Sequence, residues 1–286
     1  MSNRVSRRFR RKTGVVCAVG FVLLSGSRDS RATEPSAPVR ELSAVHGAAA
    51  VAGMREGTAA ATQQSLAAVA ALRGQAVWLP PDSGRPGVLA YPPARADGPA
   101  RITVMLHGMC DTPQNECPEF ASSVTRDQWL ICPRADVGCS NGGSMWGWRT
   151  RQQVVESAIA RIGQMFPGAL DDATGRTLIG FSLGSFAAVD IAHNGDGKWK
   201  YVVLLGAKIV PDARLLARAG VSRVLMGSGD FDMMKGHMVE QSRRLDRAGV
   251  ASRYMSMGRV GHWFARDMDA WLSGALSWLY QDEGRS

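Results

Sequence analysis

The sequence predicts an α/β fold, with a mostly parallel sheet of about eight strands and helices on both faces. From about residue 100 onward, short apolar runs alternate with amphipathic helical patterns. Such strands pair in parallel and are covered by helices on both sides. Two earlier β-rich runs, 76–79 and 87–91, are separated by turn-forming residues and predict an antiparallel pair. A chain of 286 residues can bury the core of one large domain.

Each further element rests on a local pattern. Segment 151–166 is amphipathic and is followed by Pro167-Gly168, which ends a helix. Segment 201–206 (YVVLLG) is continuously apolar and predicts a buried strand. The other expected strands are 101–107, 129–132, 176–180, 223–226 and 253–257, and the other expected helices are 183–194, 213–219, 233–248 and 267–280. The intervals between strands are too short for a large cap domain, so we expect an open or loop-covered site.

The charge is concentrated at the start of the chain. Of the formal net charge of +9, residues 1–32 carry +7 and the remainder +2. No basic stripe remains to follow phosphates, so we expect no nucleic-acid partner. The apolar run 14–24 is too short to span a bilayer, which takes about 20 residues, but suits a signal peptide. We expect a signal peptide over 1–32, and a secreted or periplasmic protein that would touch a membrane only through an uncleaved leader.

The domain division follows composition. Residues 33–73 are rich in alanine and predict either a linker or an N-terminal helix. Residues 74–286 carry the strand and helix patterns and are expected to form the catalytic domain.

Four cysteines lie beyond the expected leader, an even number that favours two disulfides in an oxidising compartment. Of the three possible pairings we prefer the two local ones, Cys110–Cys117 and Cys132–Cys139, since each closes a short loop. A zinc site is the alternative, but the spacing is not that of a usual zinc knuckle. No metal is therefore expected.

The segment Gly180–Gly184 (GFSLG) is the strongest chemical signal. It closes a run of strand formers and opens a helical pattern. A serine on such a sharp turn, flanked by glycines where a Cβ would clash, is the arrangement of a nucleophile elbow. Because G-x-S-x-G also arises by chance, the alternative is a glycine-rich turn with a buried or capping serine. Ser182 as a nucleophile would need a base, a group that orients the base, and donors for an oxyanion.

The downstream candidates lie where strands end. His262 follows the last expected strand, whereas His193 and His237 lie at the end of and inside expected helices. Two aspartates, Asp230 and Asp232, follow the expected strand 223–226. We favour Asp232 as the orienting acid because, counted from the start of that strand, it leaves enough residues for the chain to leave the sheet and turn the carboxylate back. Asp230 is the alternative acid, or else a cap for the next helix.

The oxyanion donors are expected from the backbone. One is the N–H of Leu183, directly after the serine. The other is the N–H of Met109, which follows the tight turn His107-Gly108 after a central strand. The His107 side chain is expected to hold this loop by hydrogen bonds.

Together these pieces resemble the α/β-hydrolase superfamily over residues 74–280, in the family's order of nucleophile, acid and histidine. Within it the chain is similar to small cap-less serine esterases. The resemblance implies the α/β-hydrolase fold and hydrolysis of a carboxylic ester, small or polymeric, through an acyl-enzyme without a cofactor. Amide or peptide hydrolysis, acyl transfer and a non-catalytic binding protein stay open as alternatives. Trp146, Trp148 and Trp263 are candidates for the wall of a substrate pocket, or else pack their loops.

Overall fold

The computed structural model describes residues 40–41, 59–72, 74–95 and 97–281. The expected signal peptide and most of the alanine-rich segment lie outside these residues, so the domain division stays a prediction. The end of the alanine-rich segment, Ala59–Leu72, is helical (α1). Among the described helices none is both long and apolar enough to cross a bilayer.

One sheet organises the described chain. Its strands, in chain order, are β1 Arg40–Glu41, β2 Val77–Leu79, β3 Val88–Tyr91, β4 Ala100–Leu106, β5 Gln128–Pro133, β8 Leu170–Asp171, β9 Arg176–Phe181, β10 Trp199–Leu205, β11 Arg223–Ser228 and β12 Ala251–Ser256. Their spatial order is β1-β2-β3-β5-β4-β9-β10-β11-β12, with β8 beside β4. Strands β6 (Val137–Gly138) and β7 (Ser144–Met145) form a separate hairpin after β5. All eight expected strands are present; β1 and β8 are short additions.

Pairing directions place the site. Strand β3 runs antiparallel to β2, as the hairpin pattern predicted, and also antiparallel to β5. From β5 through β4 and β9 to β12 every neighbour is parallel. The carboxyl ends of these six strands therefore meet at one edge of the sheet, where ligands bind in α/β folds.

Helices cover both faces of the sheet. They are α2 Pro113–Glu116, α3 Pro118–Val124, α4 Arg151–Met165, α5 Leu183–His193, α6 Ala213–Arg218, α7 Lys235–Arg247 and α8 Met268–Leu279. Apolar residues of α1, α4, α5, α6 and α7 pack in the core on one face, and those of α3 and α8 on the other. The predicted helices are confirmed. Helix α5 alone connects β9 to β10, and α6 alone connects β10 to β11, so these crossovers carry no cap domain.

The preferred disulfide pairing is wrong. The bonds are Cys110–Cys139 and Cys117–Cys132, with Cα atoms 5.6 Å and 6.3 Å apart. Cys117 directly precedes α3 and Cys132 lies in β5, and both are buried in the apolar cluster between that helix and the sheet. Cys110 lies instead on the loop after β4, and Cys139 lies in the turn between β6 and β7. Tertiary packing, rather than loop length, therefore selects the partners. Since all four sulfurs are oxidised, none is a thiolate ligand for zinc.

Candidate active site

Ser182 lies at the sharp turn between β9 and α5. Its backbone has φ 51° and ψ −117°, a strained conformation for a residue with a side chain. A Cβ added at Gly180 would lie 2.4 Å from the carbonyl oxygen of Gly184, and one at Gly184 only 2.0 Å from that of Leu106. Both flanking glycines are therefore required by close backbone approach, as the motif predicted.

A second serine stabilises this turn. The Ser185 hydroxyl is fully buried, and its single proton faces two acceptors, the Gly180 carbonyl at 2.7 Å and the Leu205 carbonyl at 2.9 Å. The same hydroxyl accepts the N–H of Leu205 at 3.0 Å. The N–H of Ser182 also bonds the carbonyl of Leu205, at 2.9 Å. The turn is thus tied to β10. Sequence reasoning missed Ser185, because a serine in the first turn of a helix carries no distinguishing pattern.

His262 reaches Ser182 from the loop after β12. Its Nε2 lies 3.0 Å from the Ser182 Oγ, within hydrogen-bond distance. Phe181 packs beside the imidazole, with ring centroids 5.1 Å apart. The backbone of Gly206, with φ +57°, passes so close that a Cβ there would lie 3.1 Å from the His262 Cε1. The two other histidines considered, His193 and His237, instead contact backbone groups of Asp212 and Ile209.

Asp232, rather than Asp230, faces the imidazole. Its Oδ2 lies 2.9 Å from the His262 Nδ1, and its side chain is buried. Because an ionised carboxylate only accepts, Nδ1 carries the proton and Nε2 is left to accept from Ser182. Asp230 instead bonds the Lys235 ammonium at 2.7 Å and the Ser256 hydroxyl at 2.8 Å. The expected helix cap by Asp230 is therefore wrong: Asp232 Oδ1 accepts the Met234 N–H near the start of α7, at 2.9 Å.

The loop after β4 runs beside the serine. His107 is buried; its Nδ1 donates to the Gly108 carbonyl at 2.8 Å, and its Nε2 accepts the N–H of Ala135 at 3.2 Å. Burial lowers the pKa of His107 to about 4, so the ring is neutral and holds the loop. Met109 follows on this loop, and Leu183 is the first residue of α5, where an N–H has no partner within its helix.

No family model and no curated protein sequence matches the chain. Solved structures do. S-formylglutathione hydrolase from Staphylococcus aureus matches with a TM-score of 0.55 and 15% identity over 71% of this chain and 98% of that one. The substrate-bound fluorophosphonate-binding serine hydrolase F of the same species matches with a TM-score of 0.52 and 16% identity, over 68% and 92%. The chain has the α/β-hydrolase fold.

A third structure with this fold carries a ligand. It is the feruloyl esterase module from Clostridium thermocellum, a mutant in complex with sinapinate, with a TM-score of 0.53 and 14% identity over 69% of this chain and 84% of that one. These neighbours are hydrolases and esterases at low identity, so the likeness establishes the α/β-hydrolase fold, and the chemistry must be argued from this chain's own residues.

Glu116 is a second feature of this α/β-hydrolase site that the sequence did not suggest. The carboxyl is 1% exposed, and both of its oxygens lie near the N–H of Gly108, at 3.0 Å and 3.1 Å. Burial raises the pKa of Glu116 to about 9, with a hydrogen bond to Asp111 adding to the shift. A neutral acid therefore holds the loop that carries Met109. An acid at the end of a short helix, eight residues after Gly108, is not by itself a recognisable signal.

Glu116→Gln is expected to change how stability depends on pH. Because the folded pKa is raised above the ordinary value of about 4.5, this acid's contribution to stability is full below that value and falls as pH rises toward 9. Glutamine keeps an acceptor for Gly108 and cannot ionise, so the variant should gain on the wild type as pH rises from about 5 to 9. Urea unfolding across that range measures the difference, and a difference that stays constant with pH would contradict the raised pKa.

The three candidate pocket tryptophans lie in different surroundings. Trp146 is buried, and its indole N–H donates to the His107 carbonyl at 2.9 Å, so it packs the loop. Trp148 is 79% exposed. Trp263, next to His262, is half-exposed and packs against Phe181 edge-on at 6.0 Å. Only the last two are open to a ligand.

Proposed function

We propose that this chain is an exported serine hydrolase that cleaves a carboxylic ester through an acyl-enzyme on Ser182. The observation that carries the proposal is the continuous hydrogen-bonded series Ser182, His262 and Asp232, with distances of 3.0 Å and 2.9 Å. Its order along the chain and its place at the carboxyl ends of β9, β11 and β12 agree with a nucleophile, an acid and a base on the α/β-hydrolase fold.

The ionisation state of Asp232 suits the role of the acid in this series. Burial raises the pKa of Asp232, but the hydrogen bonds from His262 and from the Met234 N–H outweigh it and lower the pKa below its usual value. Asp232 is therefore ionised at neutral pH. It fixes the tautomer of His262 and stabilises the imidazolium that forms when Nε2 takes the proton of Ser182.

In the first half-reaction, Ser182 Oγ attacks the ester carbonyl as its proton passes to His262. The N–H groups of Leu183 and Met109 are the proposed donors to the oxyanion. His262 then returns the proton to the departing alcohol, which leaves Ser182 acylated. In the second half, His262 takes a proton from water as the oxygen of that water attacks the acyl carbonyl. His262 then returns the proton to Ser182 Oγ as the bond between this oxygen and the acyl carbon breaks, which frees the acid and restores both side chains. Every step uses groups of the chain and water.

Export is supported by the two disulfides, which persist in an oxidising compartment. The partner proposed is a small or polymeric ester, since one neighbour with this fold is a feruloyl esterase module, in complex with sinapinate.

Turnover of a soluble ester tests the reaction type. The protein should release p-nitrophenol from p-nitrophenyl butyrate and act far more slowly on the matching p-nitroanilide, whose amine is a poorer leaving group. A fluorophosphonate should abolish this activity at about one equivalent per chain, because it phosphonylates an activated serine. Faster cleavage of the anilide, or full activity after fluorophosphonate treatment, would contradict the proposal.

A further inference from the structure

The large apolar side chains that are exposed in the described part of the chain lie at one edge of the sheet. Six of them we call the apolar rim: Met109, Trp148, Val210, Phe231, Met233 and Trp263. They belong to loops that follow β4, β7, β10, β11 and β12. The remaining two, Val137 and Phe186, lie in β6 and in the first turn of α5, at this same edge.

This edge is the one that holds Ser182. The six parallel strands end there, whereas the segments just before three of them, β5, β9 and β10, carry charged residues: Arg126-Asp127, Asp171-Asp172 and Asp196-Gly197-Lys198. Single exposed apolar side chains are ordinary on protein surfaces. Their concentration around one site instead indicates a surface that binds an apolar ligand or partner.

A buried arginine fixes the position of Trp148 in the apolar rim. Trp148 lies over the guanidinium of Arg151, which is 4.2 Å from the indole centroid. Arg151 is itself buried, bonds the Trp148 carbonyl at 3.0 Å and pairs with Asp190 at 3.1 Å. A buried cation therefore fixes both the ring and its backbone, and the indole is displayed while 79% exposed.

Two other contacts hold rim loops in place. The N–H of Phe231 bonds the Val260 carbonyl at 3.0 Å, which joins the loop of Asp232 to the loop of His262. The disulfide Cys110–Cys139 joins the loop that carries Met109 to the residue directly after β6, the strand that carries Val137. These apolar side chains are thus presented on braced loops, which lowers the entropy lost when a surface is bound.

We propose that the apolar rim docks the chain onto the surface of a water-insoluble aliphatic polyester, with the ester bonds of that surface as the substrate of Ser182. This inference rests on the proposed function. A permanent protein partner or a second copy seated on the rim would cover the serine, whereas a polyester surface brings ester bonds to it. The site is open to solvent at His262, whose side chain is 45% exposed.

Binding is tested without turnover in the Ser182→Ala background, by sedimentation with polycaprolactone nanoparticles. The Ser182→Ala chain should co-sediment, and adding Val210→Ser with Met233→Ser should weaken binding at least tenfold, because each side chain loses apolar burial. Adding Ala251→Ser, an exposed position at the opposite edge, should change nothing. Thermal unfolding of the three proteins checks that they are folded.

The outcomes separate the two proposals. The docking surface is overturned if the rim substitutions leave particle binding unchanged. It is also overturned if the rim binds phosphatidylcholine vesicles more tightly than the particles, or if it mediates dimerisation without particle binding. Hydrolysis of soluble p-nitrophenyl butyrate by the wild type without particle binding would remove the docking surface and leave the chemistry. Rim-dependent particle binding by a chain that hydrolyses no ester would remove the proposed function and leave the surface.

Discussion

Asp232→Asn should lower kcat on a soluble ester by about 10⁴-fold. The asparagine amide donates a hydrogen bond where the carboxylate accepted one. His262 therefore adopts the other tautomer, in which Nδ1 is unprotonated and accepts from residue 232 while Nε2, facing Ser182, carries the proton. A protonated Nε2 cannot accept the serine proton. KM should change little, because the loss falls on the transition state. Initial rates on p-nitrophenyl butyrate at neutral pH measure both constants.

Asp230→Asn is the matched control, two residues away on the same loop. Asp230 pairs at the surface with Lys235 and Ser256, and an exposed ion pair contributes little. The variant should keep kcat within a few-fold of the wild type. Equal losses in the two variants, or a larger loss in Asp230→Asn, would show that the acid behind His262 is misassigned.

Gly184→Ala should destabilise the protein by about 4 kcal/mol or more. The new Cβ would lie 2.0 Å from the Leu106 carbonyl oxygen and 2.7 Å from that of His107, so β4 and α5 would have to separate. Both neighbours are backbone groups, one at the end of the central strand β4 and one in the turn that follows it, and neither can rotate away. If the variant folds, urea unfolding measures the decrease in its free energy of unfolding. If no soluble variant is recovered while the wild type is, the destabilisation exceeds the stability of the fold.

Gly163→Ala provides the comparison. It lies inside α4, where a Cβ would meet only the Leu170 Cδ1 at 3.5 Å, an ordinary contact. Alanine there should stabilise the helix by about 0.5–1 kcal/mol. If Gly184→Ala were tolerated as well as Gly163→Ala, the close packing of the serine turn would be refuted.

The α/β-hydrolase fold was predictable because its strands are buried on both faces and are therefore continuously apolar, as in 201–206. The serine turn was predictable because the close approach of the strand and the helix leaves no room for a Cβ at its two glycines. The choice of Asp232 followed from counting residues from the start of β11, and its contact with His262 agrees with that count. These features depend on neighbours in the chain, which a sequence displays directly.

Features that depend on tertiary contacts were not predictable. Cys117 meets Cys132 because α3 packs on β5, whereas the seven-residue spacings suggested local loops. Glu116 acquires its raised pKa only from burial beside Gly108. The arrangement of the apolar rim emerges once five separate loops reach one edge of the sheet. In each case the deciding partner lies far away in sequence or is the protein interior itself.

The central claim is that Ser182 is the nucleophile. The most direct test is to label the protein with a fluorophosphonate, digest it and locate the adduct by mass spectrometry. We predict one phosphonyl group, on the peptide that contains Ser182, and no labelling of Ser182→Ala. An adduct on another residue, or equal labelling of the two proteins, would contradict the account.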